Sequence, residues 1–308
     1  MSEQRRTILE AVVGSTVHGT NVQDGLEDLD LMAVVIENRE RVLGFHQEDC
    51  WVTRTKPEGV RSEAGDVDHT AYGLRKYLGL ALKGNPTILL LLFAPPSAIR
   101  IMTAEGAELR RLTPHIVSKQ VYSPFRGYMR QQHERLLGLR GQRNVTRPEL
   151  VEAYGYDTKY AGHIIRLGFQ GEEILLTGKL SLPMRSEQCE LVRAVRSGKY
   201  SLAEVSNMII AAEERIEAAV EASTLPESPN RKKVQDWMIA TYLRHWATDY
   251  NDGAEFPWAN SGAERRAEGT TRAGGDVDHS GGQGDSRGES ETPSSVGVGV
   301  AGQGSGEA

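Results

Sequence analysis

The chain has 308 residues and a formal charge of −6, with 36 Lys and Arg against 42 Asp and Glu. That length allows two modest domains or one large one, and the acid excess excludes a globally basic nucleic-acid binder, leaving local faces to hold phosphates. Only Cys50 and Cys189 occur, too few for a disulfide framework or a zinc cluster, and no apolar run reaches a membrane span or forms a signal peptide after Met1, so a cytoplasmic protein with no membrane partner is expected.

The first apolar run, residues 8–13, reads as a strand and ends at Gly14-Ser15. After a short polar loop, Asp28 and Asp30 open a second apolar run, 29–36. Strand residues two apart project from one face, and carboxylate oxygens sharing a face are what Mg²⁺ or Mn²⁺ requires. The Gly14-Ser15 turn offers backbone N–H groups and a hydroxyl to phosphate. Taken singly, Gly-Ser is an ordinary turn and Asp-x-Asp an ordinary loop. In this order and spacing they predict one cleft where a nucleoside triphosphate and a metal meet.

Within 38–65, residues 49–55 alternate as a hairpin arm that adds edge strands. Residues 71–83 carry Tyr72, Leu74, Leu78 and Leu82 at helical spacing, so a helix is expected to start right after Asp68 and to stop at Gly84-Asn85-Pro86. Beyond Pro96, apolar residues three and four apart predict helices over 105–112, 125–139, 147–169, 202–222 and 234–247. From Ala259 onward there is no Leu, Ile, Met, Phe, Tyr or Trp and 13 of the 33 glycines occur, a composition that cannot offset backbone ordering entropy. The expected organisation is a catalytic domain over 1–96, a helical domain over 97–258 and a disordered tail over 259–308. Gly-Asp-Val-Asp-His occurs at 65–69 and again at 275–279, the second time inside the tail, where it is read as coincidence.

Gly14-Ser15 followed by Asp28-x-Asp30 resembles the signature of the DNA polymerase beta nucleotidyltransferase superfamily. Residues 68–77 (Asp68-His69-Thr70-Ala71-Tyr72 onward), Gly84-Asn85-Pro86-Thr87 and the Tyr156-Asp157-Thr158-Lys159 segment through Arg166 are similar to its RNA-repair-pathway branch. The resemblance runs from about Ile8 to about Trp246. It implies an α+β fold with a small mixed sheet flanked by helices, and a third metal carboxylate on a later strand. Asp68 fits that place, with Asp66 as its rival and Glu63 more distant. The resemblance also leads one to expect an acid near Leu90, where this chain has only apolar residues.

The implied reaction is transfer of a nucleoside monophosphate from a triphosphate, ATP being the expected one, to a hydroxyl, with loss of pyrophosphate. Asp28, Asp30 and Asp68 would hold the metals, and Gly14 and Ser15 would cradle the β- and γ-phosphates. Lys159, His163 and Arg166 lie at i, i+4 and i+7, one helix face able to turn positive charge toward the triphosphate. Tyr156 and Tyr160 offer rings to a base or to the core. His18 and His69 are left outside the metal set. An RNA or tRNA end is the expected acceptor, held by Arg126, Arg130 and Arg135 in a run that continues through Arg140, Arg143 and Arg147, with Arg231-Lys232-Lys233 as a second basic cluster. A protein hydroxyl is the alternative acceptor, and a non-catalytic nucleotide-binding module the alternative function.

Overall fold

Short apolar runs set the central strands. Strand β1 (Arg6–Val12) leads through a one-turn helix, α1 (Gly14–His18), to β2 (Leu29–Ile36). The two strands are antiparallel, with Val12 opposite Leu31 and Arg6 opposite Ile36. A short helix α2 (Arg39–Leu43), strand β3 (Cys50–Arg54) and strand β4 (Val67–Gly73) follow. With β5 (Ile99–Met102) they form a sheet of order β3-β4-β2-β1-β5, in which only β2 and β4 run parallel. This computed structural model describes residues 5–21, 29–45, 48–55, 65–138 and 147–251. The expectations for Asp28, Glu63, Arg140, Arg143 and the tail lie outside the described residues.

The period of two divides β2 between two faces. Met32, Val34 and Ile36 enter the main core, whereas Ala33 and Val35 pack with Ala71 in a smaller cluster on the other side. The expected helix over 71–83 starts later than its periodicity implied. Residues 71–73 are spent in β4, where Ala71 lies opposite both Ala33 and Trp51, and α3 spans Leu74–Ala81. Asp68 therefore sits on a strand rather than at a helix start. What begins the helix is Glu37, buried just past β2, whose carboxylate accepts the Leu74 N–H at 3.0 Å. Gly73 has no Cβ because one would collide with that carboxylate.

Asn85-Pro86 does more than stop α3. Asn85 caps the next helix, α4 (Pro86–Phe93), by accepting the Thr87 and Ile88 N–H groups, and Pro86 occupies its first turn, where a missing N–H costs nothing. Ile88 through Leu92 are all buried, so Leu90 stands in the core at the position where the resemblance anticipated an acid.

The remaining helices are α5 (Ala104–Arg111), α6 (Thr113–Ile116), α7 (Tyr122–Leu136), α8 (Pro148–Tyr154), α9 (Thr158–Thr177), α10 (Ser186–Arg196), α11 (Leu202–Ala222) and α12 (Arg231–Asn251). The single helix expected over 147–169 is two. Gly155 ends α8 at φ +78°, and Asp157 restarts the chain by accepting the Lys159 and Tyr160 N–H groups at 3.0 and 3.1 Å. Helix α9 runs between α7, α10 and α11, and Gly168 and Gly171 let it press against Ala212, Ile216 and Phe125. Sheet and helices share one hydrophobic cluster, and all described residues fall in one compact unit of α+β architecture. Among the described residues, no helix is long and apolar enough to cross a membrane.

Helix α12 is fastened to the sheet through Glu37. The Tyr242 hydroxyl donates to its Oε2 at 2.7 Å and accepts the Arg75 N–H at 3.1 Å, while the Trp246 indole donates to the Glu37 carbonyl at 3.0 Å. Tyr242→Phe removes one of the two donors to the buried Glu37 carboxylate and the acceptor of the half-buried Arg75 N–H, and is expected to cost about 1–3 kcal/mol. Urea unfolding should show a lower midpoint at unchanged slope.

Candidate active site

The chain leaves β1 through a glycine whose backbone a side chain would strain. Gly14 adopts φ +77°, and a Cβ there would strike the Asp30 carboxylate. The Val13 N–H donates to the Asp30 carbonyl at 2.8 Å, so the turn is tied to β2 at the residue whose side chain it abuts. Asp30 is registered with Asp68 across the parallel β2–β4 pair, which puts both side chains on one face at neighbouring positions. Asp66 is engaged elsewhere, its Oδ1 accepting the Thr55 hydroxyl at 3.0 Å.

Asp68 has an unspent acceptor. Its buried Oδ1 takes no hydrogen bond, with Arg54 Nε at 3.7 Å making a charge contact only. No group of three or more ligating side chains converges among the described residues, and Asp28, expected to complete the set, lies outside them. The orphaned Asp68 oxygen, the hard carboxylate donors and the close cradle at Gly14 fit a divalent cation such as Mg²⁺ or Mn²⁺. His18 and His69 stay apart from these carboxylates: His69 pairs with Glu10 at 3.1 Å, and His18 is buried against α9.

A cavity of about 210 Å³ opens beside Gly14, Ser15 and Asp30. Its opposite wall is the predicted row Lys159, His163 and Arg166 on α9, with Tyr160 between them. Asp157 fixes that row by capping the first turn of α9. Tyr156 turns into the core and donates to the Tyr200 carbonyl at 2.7 Å. A wider, shallower groove on α10 of about 650 Å³, lined by Glu187, Glu190 and Lys199 among others, includes neither the carboxylates nor the turn.

Two further cations reach the cavity. Arg147 pairs with the buried Asp157 at 3.0 Å and lies over the Tyr160 ring, and Arg196 of α10 donates to the Thr20 carbonyl. Arg147 belongs to the arginine run noted in the sequence, whereas the short helix carrying Arg196 was not read from periodicity. His18 and Gln170, which also stand beside Arg166, had no sequence signal except closeness to the motifs. The cations act on the histidines: burial, then Arg166, Arg147 and Lys159, push His163 down to about 3. Burial followed by Arg166 and His163 hold His18 well below the usual imidazole range. Both rings are neutral at pH 7.

The expected acceptor face is less basic than its composition implies. Arg126 pairs with Glu217 at 2.9 Å and Arg130 with Glu134 at 3.2 Å, while Arg135 is exposed.

A mixed sheet that sets a Gly-Ser turn against strand carboxylates, with helices closing the cleft, is the architecture of a polymerase-beta-type nucleotidyltransferase. Residues 1–238 match the RNA repair pathway DNA polymerase beta family, and the chain belongs to that family. A nucleotidyltransferase-like protein from Exiguobacterium sibiricum is among the solved structures that align with it, at 12% identity over 70% of this chain and 69% of that one, with a TM-score of 0.26. No curated protein is matched.

Gly14→Ala forces both a strained φ and a collision with Asp30. Nucleotide binding measured by calorimetry is expected to fall by about tenfold or more, with the circular dichroism of the fold retained. His163 yields a pH test. The unfolded chain protonates it near 6.5 and the native ring only near 3, so its contribution to stability is whole above about pH 6.5 and is lost as pH falls toward 3. In His163→Gln, unfolding free energy should decline less steeply across that window.

Proposed function

We propose that this protein is a metal-dependent nucleotidyltransferase that moves a nucleoside monophosphate from a triphosphate, ATP by expectation, to the hydroxyl of an RNA or tRNA end, releasing pyrophosphate. The observation that carries the reading is the cavity itself, which sets the Gly14-Ser15 turn and Asp30 across from Lys159 and Arg166. Family membership supplies the reaction class. The thiols at Cys50 and Cys189 suit a reducing cytoplasm as the place of action.

In this mechanism Asp30 and Asp68, with Asp28, would hold Mg²⁺ or Mn²⁺, which when bound neutralises phosphate charge and favours deprotonation of the attacking hydroxyl. The remaining work falls to the chain. Gly14 and Ser15 position the β- and γ-phosphates with backbone N–H groups and a hydroxyl. Lys159 and Arg166 offset the charge that builds on the leaving pyrophosphate. Neutral His163 offers a ring N–H to a phosphate oxygen and, with its pKa pushed down to about 3, takes up no second proton near neutral pH. Arg147, steadied by Asp157, and Arg196 narrow the mouth of the cavity and hold the chain in line for attack.

On the acceptor side the reading assigns RNA contact to Arg126, Arg130 and Arg135. The carboxylates paired with Arg126 and Arg130 weaken that electrostatic case and favour keeping a protein hydroxyl as the second reading. One experiment addresses both. With α-labelled ATP, Mg²⁺ or Mn²⁺, and RNA together with cell lysate, label should appear on RNA ends. Asp30→Asn should lower transfer about 100-fold or more while the protein stays folded. Label on protein would select the second reading, and nucleotide bound without pyrophosphate release would make the protein a binding module.

A further inference from the structure

Arg166 is placed against two uncharged residues where an acid would have satisfied every contact. Its NH1 lies 2.9 Å from His18 Nε2 and donates to Gln170 Oε1 at 2.7 Å, while Gln170 Nε2 lies 3.1 Å from His18 Nδ1. His18 and Gln170 are 3% and 2% exposed, so water cannot repair a mismatch there.

A neutral imidazole has one N–H and one lone pair. A guanidinium only donates, so Nε2 must accept from Arg166 and Nδ1 must carry the proton. The Gln170 amide nitrogen then faces Nδ1–H, donor against donor. Turning the amide over lets its oxygen accept from Nδ1–H but brings the nitrogen against Arg166 NH1, again donor against donor. Either way the trio holds one donor too many. A glutamate of the same shape would accept from both Arg166 and Nδ1–H and would pair the charge.

Among the described residues, Arg166 has no carboxylate partner. Burial and the neighbouring Arg196 push its pKa down to about 10, with no acid acting in the other direction. A mostly buried cation without a counter-ion is destabilising. It is tolerated where function requires the charge, and Arg166 lines the cavity.

The geometry points to Gln170 as the neutral neighbour that leaves Arg166 charged and uncompensated at the cavity wall, and to His18 as the residue that positions it there, kept for the oxygens of a phosphate chain. Gln170 does this by being an amide and not an acid. His18 follows the Gly14-Ser15 turn on α1, so the same contact fixes the α9 row relative to that turn. This rests on reading the cavity as a phosphate-chain site.

The test is Gln170→Glu in the full chain, with inorganic tripolyphosphate as the probe, measured by calorimetry without metal and beside thermal unfolding. The melting temperature should hold or rise, because the acid completes the trio. Tripolyphosphate affinity should fall about tenfold or more, because Arg166 is now neutralised. A purely structural role would leave affinity unchanged, and equal affinity in the two folded proteins overturns the proposal. Gln170→Met, uncharged and of similar volume, covers the case where the acid fails to fold. It should lower the melting temperature and weaken binding less than about threefold; loss of binding on folded Gln170→Met overturns the proposal. If tripolyphosphate binds the wild type and is lost with Gln170→Glu while no nucleotide is transferred, this inference stands and the transferase reading falls. If the wild type transfers nucleotide and tripolyphosphate affinity is the same in both, the reverse holds.

Discussion

The approach of the Gly14 backbone to the Asp30 carboxylate governs the rest of the site. Because Val13 is hydrogen-bonded to the carbonyl of the same aspartate, the turn cannot move away from β2 without breaking the edge of the β1–β2 ladder. The phosphate side and the carboxylate side of the cleft are thus two surfaces of one rigid corner. The parallel β2–β4 register then carries Asp68 to the neighbouring position, so the place of the second carboxylate follows from strand pairing and not from loop conformation. A corner built from strands holds its geometry more tightly than one built from loops.

Opposite that corner, charge is arranged on helices. Lys159, Arg166 and Arg196 come from two helices packed against each other, and Asp157 serves twice, as the cap that starts α9 and as the counter-ion of Arg147. Positive charge confined beside neutral histidines raises the local potential without adding a titrating group near neutral pH. The low net charge of the whole chain is no obstacle, since the field in the cleft is set by groups within a few ångströms of it.

The parts legible in the sequence are those in which local pattern and tertiary role coincide. The apolar run 29–36 coincides with β2 at both ends, and the i, i+4, i+7 spacing of Lys159, His163 and Arg166 puts all three on one cavity wall. Reading failed where tertiary contact overrode local preference. Residues 71–73 look helical, yet strand partners on both sides claim their backbone groups, and only the distant Glu37 carboxylate decides where α3 begins. The break at Gly155 was visible as a residue but outweighed by apolar spacing that runs through it. Arg196 and Gln170 carry no motif: each matters because α10 and α9 bring it to Thr20 and His18, a property of packing that spacing does not encode. Pairing with Glu217 and Glu134 likewise offsets the charge of Arg126 and Arg130, which the run of arginines does not by itself reveal.

Glu37 and Tyr242 are 205 residues apart, and their contact orders the events of biosynthesis. The corner carrying Gly14, Asp30 and Asp68 leaves the ribosome early, but the carboxylate at the far end of β2 stays without its hydroxyl partner until α12 emerges. At the ~5–20 residues per second of translation, that interval is roughly 10–40 s. During it the Glu37 carboxylate can take the Leu74 N–H but not the Tyr242 hydroxyl, so this part of the core is completed only once α12 is made. Non-local closure of this kind slows folding and places its last step at the C-terminal end of the fold.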